Sequence, residues 1–270
     1  MAKSPIIQPA RVRPAAVAGR FYPADPAELR DLINTLLAAV PPATGPAPKA
    51  LIAPHAGYLY SGPIAASAYA QLIPARQQIR RVVLLGPSHY VPVDGLATSS
   101  AEAFATPLGL VPLDLEAVRL ARTLPQVTQM DEAHAQEHSL EVHLPFLQTV
   151  LEDFALVPLA VGDASADGIA EVLKALWDGE ETRLVVSSDL SHYHDLQTAR
   201  RLDQSTAKAI EALKPAGIGE ERACGRIPIR GLLQIARQRG LRARTLDLRT
   251  SGDTAGPRDQ VVGYGAFAFG

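Results

Sequence analysis

Arg81-Val82-Val83-Leu84-Leu85-Gly86-Pro87-Ser88-His89 decides the fold. A continuous β-branched and aliphatic run stops abruptly at a glycine, a proline and a polar pair. An uninterrupted apolar strand is buried on both faces, which is the habit of parallel sheets covered by helices. The same plan recurs. Ala50–Ala53 runs into Pro54-His55-Ala56-Gly57-Tyr58, Phe154–Val161 into Gly162-Asp163, and Leu184–Val186 into Ser187-Ser188-Asp189-Leu190-Ser191-His192. Between these runs, helical spacing of apolar residues predicts helices over 63–73, 114–124, 139–151, 166–177, 197–214 and 229–239. Two late segments, 243–249 and 260–269, read as further strands. Alternating strands and helices imply an α/β protein with a central mixed, largely parallel sheet flanked by helices. The first helix is marked by Asp25-Pro26-Ala27-Glu28, a capping aspartate ahead of a first-turn proline, and it ends at Pro41-Pro42. The ten residues 41–50 read as a surface loop rather than a domain boundary, so residues 1–270 are expected to form one domain.

Composition removes several function classes. The chain has 270 residues, 26 Lys+Arg against 28 Asp+Glu, and 47% hydrophobic residues. A net charge of −2 gives no basic footprint for nucleic acid. No apolar stretch approaches the ~18 residues of a membrane helix. The proline-broken first 26 residues contain no signal-peptide core. One cysteine excludes a disulfide framework or a cysteine-rich zinc module, and with no export signal a cytoplasmic location is expected. There is no G-x-S-x-G elbow, Walker loop, G-x-G-x-x-G after a strand, or H-E-x-x-H helix.

The chemistry lies in the histidines. His55, His89 and His192 each follow the carboxyl end of a different apolar strand, the edge at which open α/β sheets bind ligands. Each alone reads as an ordinary loop residue. Three at equivalent topological positions predict convergence. Imidazoles beside a carboxylate suit a divalent transition metal with open positions left for substrate. Asp189 shares the loop of His192 and is placed to accept its ring N–H. The segment Glu137-His138-Ser139-Leu140-Glu141-Val142-His143 reads either as an acidic helix start capped by Ser139 or as part of the cleft. Cys224 reads as a small buried hydrophobe, or as a thiolate activated by the following helix N-terminus.

Six ordered stretches together resemble one family: Val17–Pro23 (VAGRFYP), Pro54–Tyr58 (PHAGY), Gly86–His89 (GPSH), Glu137–Pro145 (EHSLEVHLP), Ser188–Tyr193 (SDLSHY) and Cys224–Ile229 (CGRIPI). This is the Memo family, whose prokaryotic branch is called AmmeMemoRadiSam system protein B. The family is similar in fold to class III extradiol dioxygenases, which hold non-haem Fe(II) through two His and a Glu. The resemblance implies His55 and His89 as metal ligands, His192 as the acid/base histidine supported by Asp189, and His138 and Glu141 lining the site. Eukaryotic relatives place a cysteine in the loop before the last strand. Here that loop reads Thr250-Ser251-Gly252-Asp253-Thr254-Ala255, and Asp253 is expected as the third ligand in its place. Fe(II) is the metal implied, with Zn or Cu behind it. Three functions follow as expectations. One is a dioxygenase-like metal-dependent oxidoreductase. The second is a binding or adaptor protein taking a small-molecule or peptide ligand in the same cleft. The third is an accessory factor to radical-SAM and AMMECR-type partner proteins.

Overall fold

Asp25 caps the first helix as its sequence implies, its Oδ1 accepting the backbone N–H groups of Ala27 and Glu28 at 2.8 and 3.0 Å. The computed structural model describes residues 11–177 and 179–270; the first ten residues, part of the proline-broken N-terminal stretch, lie outside it. In chain order the first half comprises β1 Val12–Arg13, α1 Pro26–Ala38, β2 Ala50–Ala53, α2 Tyr58–Tyr69, β3 Arg81–Pro87, β4 Leu96–Thr98, β5 Ala103–Thr106, β6 Gly109–Pro112, α3 Leu115–Ala121, β7 Val127–Gln129, α4 Glu132–Ala135 and α5 Leu144–Val150. The second half comprises β8 Ala155–Val161, α6 Ala166–Ala175, β9 Thr182–Ser187, β10 His192–His194, α7 Leu196–Glu211, α8 Arg226–Gln238, β11 Ala243–Thr250, α9 Ser251–Thr254 and β12 Val261–Phe269.

The main sheet runs β10-β12-β2-β9-β3-β8-β4-β7, with β11 pairing β12 on its other side. Strands β2, β9, β3 and β8 are mutually parallel. Antiparallel β12 joins one side of this block and antiparallel β4 the other. The sheet is therefore mixed, with a parallel centre, as the alternation implied. Side chains alternate between its faces. Leu51, Ala53, Val82, Leu84 and Val185 pack on the side of α1, α2 and α5. Ile52, Val83, Leu85, Val186 and Leu184 pack on the side of α3, α6 and α8. Both faces are thus dry, which is why these strands carry no polar alternation.

Three features went beyond the sequence reading. A small second sheet, β1-β5-β6, stands apart from the main one. The expected helix over 139–151 begins only at Leu144, after a 3₁₀ turn at Glu141–His143. Ser139 is no helix cap: its hydroxyl donates to the Pro87 carbonyl at 2.7 Å and fastens this segment to the end of β3. Gly86 permits that approach, because a Cβ there would sit 2.8 Å from the Ser139 hydroxyl. Among the described residues, no helix is long and apolar enough to cross a membrane.

Candidate metal centre

Parallel strands end on one edge of a sheet, so β2, β3 and β9 deliver His55, His89 and the Ser188–His192 loop to a common cleft of about 590 Å³. His55, His89, His138, Asp189, His192 and Cys224 all line it. Ring nitrogens of His55, His89 and His138 lie within 4.8 Å of one another. His55 and His89 meet edge to face, centroids 5.2 Å apart, and His138 lies nearly parallel to His89 at 4.6 Å.

Hydrogen bonds set the ring tautomers. His55 Nδ1 lies 2.6 Å from the Ser187 hydroxyl, whose single proton goes to the Ser139 carbonyl at 2.6 Å. Ser187 must then accept, so His55 carries its proton on Nδ1 and presents a lone pair at Nε2. His89 Nδ1 donates to Glu137 Oε1 at 2.8 Å, and its backbone N–H donates to Oε2 at 2.5 Å. Its free nitrogen is likewise Nε2. Fixing a ligand imidazole through its far nitrogen, by a carboxylate or hydroxyl, is the usual support of a histidine metal site. Glu137 is buried, which would raise its pKa, but the ring and backbone of His89 and the Ser139 N–H hold it down at about 2. Its carboxylate is therefore ionised as it orients His89.

Burial keeps His55 and His138 neutral. His55 is held well below its ordinary pKa by burial first and then by the surrounding imidazoles. His138 is lowered to about 4, again mainly by burial. Its Nδ1 lies 3.4 Å from Glu137 Oε1, too far for a hydrogen bond, and is buried without a partner. Neutral imidazoles with free lone pairs are metal donors rather than an anion-binding cluster.

Cys224 stands at the start of α8, its Sγ 3.4 Å from His55 Nε2. The Asp189 backbone N–H donates to the sulfur at 3.2 Å. Burial, then the Asp189 charge, push the thiol up to about 12. The helix start does not activate it, because desolvation outweighs the hydrogen bonds it receives. His192 opens β10 and is half-buried, its pKa lowered chiefly by burial. The next residue, Tyr193, is exposed and left-handed at φ 60°. That conformation costs a non-glycine residue about 1–2 kcal/mol and is found disproportionately beside functional sites.

The family model described as Memo-like protein matches residues 13–268. A MEMO1 family protein of Methanopyrus kandleri is 38% identical over 279 aligned positions, covering 95% of this chain and 98% of that one. A second, from Aquifex aeolicus, is 36% identical, covering 94% and 97%. The chain belongs to the Memo-like family. A crystal structure of an uncharacterised Escherichia coli K12 protein overlaps at a TM-score of 0.47 with 16% identity, covering 80% of this chain and 98% of that one.

Three sequence expectations need correction within this Memo-like fold. Asp253 does not reach the imidazoles. It lies inside α9 and completes the capping box of the N-cap Thr250, its Oδ2 accepting the Thr250 N–H and hydroxyl at 3.0 and 2.9 Å, and its Oδ1 pairs with Arg200 at 2.5 Å. Glu141 does not line the cleft. It is 1% exposed and accepts from Arg13, the Ala16 and Val17 backbone N–H groups and the Tyr22 hydroxyl. Asp189 is not hydrogen-bonded to His192 among the described residues. Its Oδ1 accepts the His55 backbone N–H at 2.8 Å, and burial raises its pKa to about 7. His138 is present at the cleft, but as a neighbour of His55 and His89 within ligating reach. Glu137, which the sequence offered only as part of an acidic segment, is the carboxylate that orients His89. Its signal was there: a carboxylate next to His138, in a stretch that never builds an amphipathic helix.

Proposed function

We propose that this Memo-like protein holds one transition-metal ion through Nε2 of His55, Nε2 of His89 and the thiolate of Cys224, and acts there as a redox enzyme on a small molecule in the cleft. The observation that carries the reading is the 3.4 Å between Cys224 Sγ and His55 Nε2. Nitrogen and sulfur donors at about 2.1 and 2.3 Å from one tetrahedral ion stand about 3.6 Å apart. His138, a ring nitrogen of which lies within 4.8 Å of those of His55 and His89, is the next donor, or a group for the ligand to meet. Mixed imidazole and thiolate donors suit Fe, Zn or Cu. Fe(II), favoured by the likeness to extradiol dioxygenases, would supply an electron source for O₂ and an open position for a substrate oxygen. A thiol ligand of this kind also suits a reducing cytoplasm.

The chain's own residues do the rest. Glu137 and Ser187 hold the two imidazoles in one tautomer, so the donors are in place before a metal arrives. A coordinated Cys224 gives up its proton despite the burial that disfavours its charge, because a bound cation reverses the local electrostatics. His192, neutral and on the cleft wall, takes a proton from a bound hydroxyl. Phe21, Tyr90 and Tyr264 give the cleft its apolar walls.

The exposed Tyr90 and Tyr193 at the rim favour a second reading, in which the same site binds a peptide or an accessory partner without turnover. Anaerobic Fe(II) reconstitution, metal analysis and an O₂-uptake screen over small molecules separates the two. Substrate-dependent uptake that falls in His192→Ala at unchanged iron content supports the enzyme. Iron bound with no uptake supports the binding protein. No metal bound at all removes the metal-dependent enzyme and leaves the binding protein.

A further inference from the structure

At the edge of the sheet opposite the histidines, where β2 and β9 begin, lies a second concavity of about 390 Å³. Lys49, Trp177, Arg183 and Arg239 line it, with Ala47 and Leu241 as apolar neighbours. Lys49 precedes β2, Trp177 follows α6, Arg183 is the second residue of β9 and Arg239 ends α8. Arg183 is the unusual member. It is 4% exposed, and its Nη1 donates to the Glu180 and Thr182 carbonyls at 2.5 and 3.0 Å. Its Nε is buried with no partner. Nη2 is neither hydrogen-bonded nor enclosed among the described residues, so it is the edge of the guanidinium that meets the groove. Glu180 and Glu181 act on Arg183 through space, but neither forms an ion pair with it. Arginine is almost never buried this far without a paired anion, and a guanidinium left so signals a missing one.

The surroundings supply matching chemistry. Lys49 Nζ stands 5.3 Å from the Trp177 ring centroid, and Arg239 Cζ stands 5.2 Å from it. Lys49 fastens the loop, donating to the Trp177, Gly179 and Thr182 carbonyls at 2.7, 2.7 and 2.9 Å, and keeps its charge beside the groove. Arg239 is exposed and makes no hydrogen bond or ion pair among the described residues. Two guanidiniums from different elements suit a group with several anionic oxygens. The indole, Ala47 and Leu241 leave apolar surface beside them, in a volume typical of small-molecule sites.

We infer that this groove binds a small organic phosphate, its phosphoryl oxygens on Arg183 and Arg239 and its organic part against Trp177. The inference uses no metal and no residue of the histidine cleft, so it goes beyond the proposed redox activity and is tested without it.

Trp177 is the one tryptophan of the chain, so its fluorescence reports on this groove. The test is fluorescence titration of the purified full chain at pH 8, where a phosphate monoester is a dianion, and at constant ionic strength. The ligands are glycerol 3-phosphate, ribose 5-phosphate and glucose 6-phosphate, with inorganic phosphate, acetate and the three parent alcohols as controls, and calorimetry supplies the affinities. At least one organic phosphate is expected to saturate with a Kd below about 1 mM and to bind more tightly than inorganic phosphate, with no binding of the alcohols. Arg239→Gln should weaken it at least about tenfold, and Arg183→Met should abolish it. Arg239 is exposed, so its variant keeps the fold even if the Arg183 variant does not. Failure of every organic phosphate to saturate overturns the inference. So does heat of binding with no change at Trp177, an affinity unaltered in Arg239→Gln, or acetate binding as tightly as the best phosphate.

Discussion

Replacing Glu141 with alanine takes one carboxylate away from four donors at once. Arg13, itself 6% exposed, loses its ion-pair partner. The Ala16 and Val17 N–H groups and the Tyr22 hydroxyl lose their acceptor. Breaking a buried pair by deleting one member costs about 3–5 kcal/mol, because the remaining charge stays buried and uncompensated. Arg13 also bonds the His134 and Glu137 carbonyls, so it has no route out to water without unfastening the segment around it. With a urea m-value of about 3 kcal/mol/M, the midpoint should fall by about 1–1.7 M. Glu141→Gln should recover little, since an amide would turn its NH₂ toward groups that are themselves donors. Metal stoichiometry of the folded fraction should stay at the wild-type value. A midpoint shift below about 0.3 M, or normal stability with the metal lost, would refute the structural role given to Glu141.

Asp253→Ala should cost about 1 kcal/mol for the broken capping box of α9 and leave metal content unchanged by elemental analysis. His134, lowered from 6.5 to about 4 chiefly by burial, stays neutral in the folded state while the unfolded chain takes up a proton. Its contribution is therefore intact above pH 6.5 and lost as pH falls toward 4, by about 3 kcal/mol. Urea midpoints measured across that window should fall for the wild type and fall less for His134→Gln. Gly225→Ala would place a Cβ 2.5 Å from the Ser187 carbonyl and 2.6 Å from Ser188 Cβ, and so displace the adjacent Cys224. Metal titration should show weakened affinity with His55 and His89 unaltered. Because the Cys224 thiol is protonated at neutral pH, metal binding should release a proton, read as buffer-dependent enthalpy in calorimetry and absent in Cys224→Ala.

Strand-end histidines were readable because β2, β3 and β9 are parallel and their carboxyl ends must share one edge. The apolar runs Arg81–Leu85 and Leu184–Val186 had no other use than a sheet covered on both faces. What sequence reasoning missed was long-range pairing of polar groups. Glu141 looks like a site carboxylate until Arg13, more than a hundred residues earlier, is placed beside it. Asp253 follows a glycine in a turn-like loop, but Thr250 and Arg200 claim its oxygens before any metal does. Cys224 sits in a motif of its own, and only the folded chain brings its sulfur against His55. The strands of three or four residues, β4–β7, are too short for a period to show in sequence.

The central claim is that His55, His89 and Cys224 share one ion, and Co(II) titration followed by optical absorption tests it most directly. The wild-type chain is expected to bind one Co(II) with both a d–d spectrum of low coordination number and a sulfur-to-cobalt charge-transfer band. Cys224→Ser should lose the charge-transfer band, and His55→Ala and His89→Ala should lose tight binding. A wild-type spectrum with no thiolate band, unchanged in Cys224→Ser but altered in His138→Ala, would contradict this ligand set and give the third position to His138.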